Sequence, residues 1–195
     1  FDTSPCFGSA LEDMNTDLFK TFYLPKAVDK DTLERNSRPV KDQLASLRFF
    51  DVKADRPTHA GILMFGNDPT RFIPGGYIQY VKIPGKEIMP GIEFEKEFKK
   101  CLCLDLLNLD EFIQSVVIRK SLIQLTNSMQ EQIIFNYPLW AIRELVFNAI
   151  IHRNYESNAP ILIHEFSDRI EIKSPGFLFG QVNIANFPNV SDYRN

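Results

Sequence analysis

The sequence predicts an α+β protein, in which helices around a small sheet are followed by a second layer where one helix covers a sheet. Two observations carry this prediction. Residues 138–152 place apolar side chains at helical spacing, and the runs 160–166 and 169–174 that follow have strand character. The earlier part of the chain mixes helical patterns with short strand-like runs. The change from helical to strand character at Ala159 defines the second layer.

Composition places the chain among ordinary globular proteins. It has 195 residues, of which 44% are hydrophobic and 24% are charged. Its net charge of −3 argues against a nucleic-acid-binding module, because such modules are usually basic. There is no apolar run of the roughly eighteen residues that a membrane span needs. Three cysteines without framework spacing fit a reducing compartment, so we expect a cytoplasmic protein with no membrane partner.

The first part of the chain predicts two helices and two strands. A helix is expected over LEDMNTDLFKTFYL, residues 11–24, and another from about Pro39 to Phe50. The short apolar run GILMFG, residues 61–66, is interpreted as a buried strand, and residues 76–84 alternate as a second strand.

The middle of the chain predicts a long helical stretch. Apolar residues keep near-helical spacing from about Glu95 to Leu125, as one helix or two. Residues 127–136 then form the expected boundary, with QEQIIFNYP as a candidate strand. We therefore divide the chain into a middle helical and sheet region, residues 1–128, and a second region, residues 129–195.

The run YPLWAIRELVFNAIIHRNY, residues 137–155, organises the second region. Pro138 suits the first position of a helix, where its missing N–H costs nothing. We expect an apolar face of this helix to pack on the two following strands. The predicted core residues on the helix are Leu145, Val146, Ala149 and Ile150, and those on the strands are Ile161, Ile163, Ile170 and Ile172.

A polar row lies on another side of the same helix. Glu144 and Asn148 are four residues apart, so their side chains are neighbours, and His152 follows one turn later. The simpler interpretation is a polar helix edge that faces water. A second interpretation of His152 is a residue that interacts with the last carbonyls of the helix.

The residues of this region also resemble a known superfamily. The pattern E-x-x-x-N-A on a helix, followed by two strands and a Pro-Gly turn, resembles the ATP-binding fold of gyrase B, heat-shock chaperones and histidine kinases, called GHKL. The longer strings AIRELVFNAIIHRNY and DRIEIKSPG resemble the ATP-binding region of bacterial RecG-like proteins and transcriptional regulators. In those proteins a Schlafen/AlbA-type DNA-binding domain precedes this region.

The resemblance implies ATP and Mg²⁺ as cofactors. Glu144 matches the superfamily's glutamate that orients or deprotonates the attacking water. Asn148 matches the asparagine that binds the Mg²⁺ bridging the nucleotide phosphates. His152 and Arg153 match the family ending H-R-[DN]-Y, which lies beside the phosphates. Phosphoryl transfer needs a positioned water and a cation that neutralises the spreading charge.

The turn after the second strand departs from the superfamily pattern. Ser174 stands where the superfamily has its adenine-binding aspartate, and Gly176 occupies a glycine position of the same D-x-G-x-G motif. Leu178 replaces the second glycine of that motif. Two hypotheses follow: an ATP-binding and ATP-hydrolysing regulatory module, or a non-catalytic structural or dimerisation module that has kept the fold.

The resemblance also bears on the larger protein. We expect this chain to be an internal fragment of a DNA-associated transcriptional regulator that contacts DNA through a domain absent from this chain and that self-associates. No G-x-x-x-x-G-K-[ST] pattern occurs in the sequence, so the chain carries no motif of a helicase motor.

Overall fold

The structure, a computed structural model, describes residues 1–88, 91–124, 131–176 and 185–186. It has the predicted α+β fold. Seven α-helical segments are described: α1 Thr16–Leu18, α2 Leu24–Ala27, α3 Lys30–Glu34, α4 Val40–Ser46, α5 His59–Phe65, α6 Leu102–Phe112 and α7 Leu139–Ile151. The eight described strands are β1 Phe50–Asp51, β2 Arg56–Pro57, β3 Ile78–Lys82, β4 Phe94–Phe98, β5 Lys120–Gln124, β6 Glu131–Phe135, β7 Ile161–Glu165 and β8 Ile170–Lys173.

The main sheet has four strands in the order β4-β3-β7-β8. Its central pair, β3 and β7, is parallel, with Ile78 opposite Ile161 and Lys82 opposite Glu165. The outer pairs β3–β4 and β7–β8 are antiparallel. Two strands therefore come from each side of the predicted boundary at residue 128, and the regions 1–128 and 129–195 share one sheet.

Helices α6 and α7 cover one face of this sheet. Alternate strand residues point to the same face, which places Ile78, Tyr80, Ile161 and Ile163 in one buried cluster. Helix α7 contributes three residues at four-residue spacing, and these are Ile142, Val146 and Ile150. Helix α6 contributes Leu109 and Phe112. The predicted packing of the 138–152 helix on the two following strands is confirmed.

The core prediction is wrong for one residue of α7, Leu145. Leu145 is 54% exposed, whereas Val146 is 3% exposed. The helix is rotated so that the row Ile142, Val146 and Ile150 faces the sheet, and Leu145 lies about 100° away from Val146 around the helix axis. Ala149 and the strand residues Ile170 and Ile172 are partly buried against the same cluster.

A second cluster lies around α5. The segment GILMFG, predicted as a strand, is helical as far as Phe65. Thr58 caps this helix: its side chain accepts a hydrogen bond from the Gly61 N–H. Four of the seven residues of α5 are buried, and these are Gly61, Ile62, Leu63 and Phe65. A short segment that is buried on most sides has no helical period by which it could be distinguished from a strand.

The helical stretch predicted from Glu95 to Leu125, as one helix or two, is only partly correct. Residues 94–98 form the edge strand β4, helix α6 begins at Leu102, and a π-helical turn, Ile113–Val117, ends this helical stretch. Residues 120–124 form β5, which pairs with β6 in a separate hairpin. The strand predicted within QEQIIFNYP is confirmed as β6, and the strand predicted over 76–84 is confirmed as β3.

The different burial of the adjacent residues Leu145 and Val146 provides a test of the orientation of α7. We expect Val146→Asp to lower the free energy of unfolding by about 3 kcal/mol or more, because it places an unpaired charge in the core. Leu145→Asp is the matched control and should change this free energy by only about 0.5 kcal/mol, since the side chain is exposed. Urea denaturation of the three proteins measures both values, and equal losses would contradict the orientation.

Candidate functional site

The polar row of α7 lies on the side of the helix that faces away from the sheet. Glu144, Asn148 and His152 are all exposed. The amide Nδ2 of Asn148 donates a hydrogen bond to Oε1 of Glu144 at 3.2 Å. With its NH₂ group bound to Glu144, Asn148 keeps its amide oxygen for a cation, and amide oxygen is a suitable ligand for Mg²⁺. The sequence-predicted pair is thus brought together on one rigid element.

His152 is the residue at which helix α7 ends. Its backbone N–H donates to the Asn148 carbonyl at 3.0 Å, and its φ and ψ values of −95° and 6° leave the helical range. The exposed imidazole therefore lies one turn beyond Asn148, at the carboxyl end of α7.

The turn after β8 packs against this end of the helix. Ser174 Oγ donates to the Ala149 carbonyl at 2.8 Å, and the Asn154 N–H donates to the Pro175 carbonyl at 2.7 Å. A Cβ atom on Gly176 would lie 3.1 Å from the His152 carbonyl oxygen, so the close approach favours glycine. Ser174 and Gly176 are thus placed beside His152, while Leu178 lies outside the described residues.

Arg153 has a different environment from the one that the resemblance implies. Its side chain is only 1% exposed, and Nη2 donates to the carbonyls of Gly75, Ser157 and Ala159 at 2.6–2.8 Å. The guanidinium also lies over the Tyr155 ring, and burial lowers the pKa of Arg153. A group enclosed in this way is an anchor for the loop after α7 and does not face a phosphate on the exposed edge.

Three large apolar side chains lie beside the exposed pair, and the sequence analysis did not identify them. Trp140, Phe147 and Ile151 are 73%, 41% and 65% exposed. They lie within about 60° of Glu144 around the helix axis, so they form an apolar stripe beside the polar row. The sequence carries one signal for this stripe: Trp140 and Glu144 are four residues apart, which places both on the same side of the helix.

An ion pair joins α7 to α6. Arg143 donates from Nε and Nη2 to the two carboxylate oxygens of Asp110 at 2.5 and 2.7 Å. These hydrogen bonds lower the pKa of Asp110. Because Arg143 precedes Glu144 directly, the bidentate geometry of this pair adds to the core packing in orienting the polar row.

No cluster of three or more His, Cys, Asp or Glu side chains suited to a metal ion occurs among the described residues. A Mg²⁺ ion at Asn148 would therefore depend on nucleotide phosphates and water for its other oxygen ligands, as is usual for this ion. In the described ranges, no helix has the length and apolar character of a membrane span.

Comparison with known proteins supports the fold alone. The chain is similar to the crystal structure of the DIP2311 protein from Corynebacterium diphtheriae, with a TM-score of 0.63 and 16% sequence identity. The match covers 96% of this chain and 36% of that chain, so this sequence spans about a third of the length of DIP2311. No family model and no curated protein matches the sequence.

The anchoring role of Arg153 is testable by its effect on stability. We expect Arg153→Ala to lower the free energy of unfolding by about 2 kcal/mol or more, because three carbonyl groups lose their donor. Arg35→Ala is the control, because Arg35 is an exposed arginine. Its free energy of unfolding should stay within about 0.5 kcal/mol of that of the wild type. Chemical denaturation measures the difference, and equal stability of both variants would exclude an anchor.

The Asp110–Arg143 pair predicts a pH dependence. Because the pKa of Asp110 is lowered in the folded protein, the pair stabilises the fold above the ordinary aspartate pKa of about 3.9, and this stabilisation is lost as pH falls through the lowered pKa. Asp110→Asn should therefore be less stable than the wild type at pH 7, and the difference should shrink below about pH 4.

Thermal unfolding measured from pH 3 to pH 7 provides this comparison. Glu111→Gln is the control, because Glu111 is exposed on the same helix and has no ion-pair partner within the described part of the chain. A stability loss of Asp110→Asn that is constant with pH would contradict the proposed contribution of the charge.

Proposed function

We propose that this chain carries the phosphate-binding side of a GHKL-like ATP site in a DNA-associated transcriptional regulator of the RecG-like family. The observation that carries the proposal is the contact between Glu144 and Asn148 on the outer side of a helix whose inner side packs on the sheet. This placement fixes a carboxylate and an amide side by side, and it leaves both accessible to a ligand.

Each residue of the pair has a separate role in this proposal. Asn148 would hold Mg²⁺ through its amide oxygen, and the cation would neutralise charge on the nucleotide phosphates. Glu144 would accept a proton from, or orient, the water that attacks the terminal phosphate. His152 lies one turn further along the same row, where its imidazole would contribute a hydrogen-bond donor near the phosphates.

The nucleobase end of the site is less complete. The hydroxyl of Ser174 donates to the Ala149 carbonyl, so this residue tethers the turn to α7 instead of presenting the carboxylate that binds adenine in the superfamily. A serine oxygen would still accept one hydrogen bond from an exocyclic amino group. Recognition of the base would therefore be weaker than that of the phosphates.

The second hypothesis, a non-catalytic structural or dimerisation module, also has an observation in its favour. Trp140, Phe147 and Ile151 form an exposed apolar stripe beside the polar row. Contiguous exposed apolar side chains are typical of surfaces that pack against protein. Under this hypothesis the α7 surface binds another protein surface and Glu144 and Asn148 lie within that contact.

DNA binding belongs to the proposal for the larger protein. In the family that the sequence resembles, a separate domain contacts DNA, and the net charge of −3 of this chain is unlike that of the usually basic nucleic-acid-binding modules. The proposed activity is cytoplasmic and ATP-dependent, and this chain carries no motif of a helicase motor.

The two residues of the pair should separate binding from turnover. In the full-length protein, Asn148→Ala should abolish Mg²⁺-dependent ATP binding, because the phosphates lose their bridging cation. Glu144→Ala should leave binding largely intact and slow hydrolysis by about 100-fold, since removal of a general base acts mainly on the transition state. Calorimetric titration with ATP measures binding, and phosphate release measures turnover.

The control is Glu111→Ala, which removes an exposed glutamate from α6 and should behave like the wild type. If the wild-type protein binds no ATP at millimolar Mg²⁺, the nucleotide proposal falls and the structural module takes its place. If both α7 variants bind and hydrolyse ATP as the wild type does, the pair is a polar helix edge without a catalytic role.

A further inference from the structure

The hairpin of β5 and β6 projects from the rest of the fold. Every residue from 119 to 122 and from 131 to 136 is exposed. A two-stranded hairpin that is covered on neither side is marginally stable in water. Exposed apolar side chains on such an element therefore indicate a surface that another protein surface covers.

The strand register defines the composition of one side of this hairpin. Lys120 is opposite Phe135, and Leu122 is opposite Ile133. Because alternate residues of a strand point to the same side, these four side chains and that of Glu131 share one surface, which we call the hairpin face. Its apolar members Leu122, Ile133 and Phe135 are 61%, 53% and 58% exposed.

The base of the hairpin is held firmly. The Asn136 side chain accepts a hydrogen bond from the Arg119 N–H at 2.7 Å and donates to the Val117 carbonyl at 2.9 Å. Arg119 in turn donates to the buried carboxylate of Glu165 at 2.5 Å. These contacts tie the base of the hairpin to the end of the main sheet's strand β7.

The charges of the hairpin face are arranged in a self-complementary way. Lys120 lies at the base, and Glu131 lies at the opposite end of the paired strands, with the apolar side chains between them. A two-fold rotation that stacks two hairpin faces antiparallel brings Lys120 of each copy next to Glu131 of the other. A partner surface of a single charge sign would match only one of these ends.

We propose that the hairpin face is a homodimer contact, in which two copies of this chain stack their hairpins antiparallel across a two-fold axis. Leu122, Ile133 and Phe135 form its apolar centre, and two symmetric Lys120–Glu131 pairs form its rim. The face is small, so this contact alone gives a weak, concentration-dependent dimer. The inference is independent of the proposed ATP site, because none of its residues belongs to α7.

Sedimentation velocity over a range of protein concentrations tests the apolar centre. Ile133→Glu should raise the dimer dissociation constant by at least about 10-fold, because it places a charge in the centre of the contact. Ile134→Glu is the matched control, because Ile134 is the adjacent residue, is 39% exposed and points to the other side of the hairpin. The dimer of this variant should persist. A monomeric wild type, or equal effects of both substitutions, would overturn the proposal.

Charge exchange tests the antiparallel arrangement. Lys120→Glu alone and Glu131→Lys alone should each weaken the homodimer, by about 10-fold at low ionic strength, because both rim pairs become repulsive. An equimolar mixture of these two variants should form a heterodimer, since both of its rim pairs are again attractive. If the mixture associates no better than the separate variants, the antiparallel stacking is wrong.

Discussion

The parallel pairing of β3 with β7 is the contact on which the rest of the structure depends. It joins residues 78–82 to residues 161–165 in the centre of the sheet, and helices α6 and α7 pack across it. Two polar contacts reinforce it. The hydroxyl of Tyr80 donates to the buried carboxylate of Glu165, and burial together with this hydrogen bond raises the pKa of Tyr80. Arg153 donates to the Gly75 carbonyl just before β3.

The candidate site inherits its geometry from this pairing. Because β7 and β8 are placed by β3, the inner row of α7 has a fixed surface to pack on, and the outer row is fixed with it. The Asp110–Arg143 contact joins α7 to α6, and Ser174 ties the turn after β8 to the end of α7. Glu144 and Asn148 thus depend on residues that contact neither of them.

The sequence predicted those elements whose pattern is local. Helix α7 and strands β7 and β8 were predicted because helical and alternating periods are each visible within a few residues. Helix α5 was missed because its burial erases the helical period, and Leu145 was misplaced because a helix with apolar residues on several sides does not specify which side faces the sheet. The burial of Arg153 depends on Gly75, which is 78 positions away, and no local pattern shows such a contact.

The separation of Tyr80 and Glu165 by 85 positions has a consequence for biosynthesis. At a translation rate of 5–20 residues per second, β3 leaves the ribosome on the order of 4 to 17 seconds before β7 is complete. During this interval β4 protects one edge of β3, while the other edge has unpaired backbone groups and is open to strands of other chains. Nascent chains of this protein therefore pass through an aggregation-prone stage whose duration is set by the speed of the ribosome.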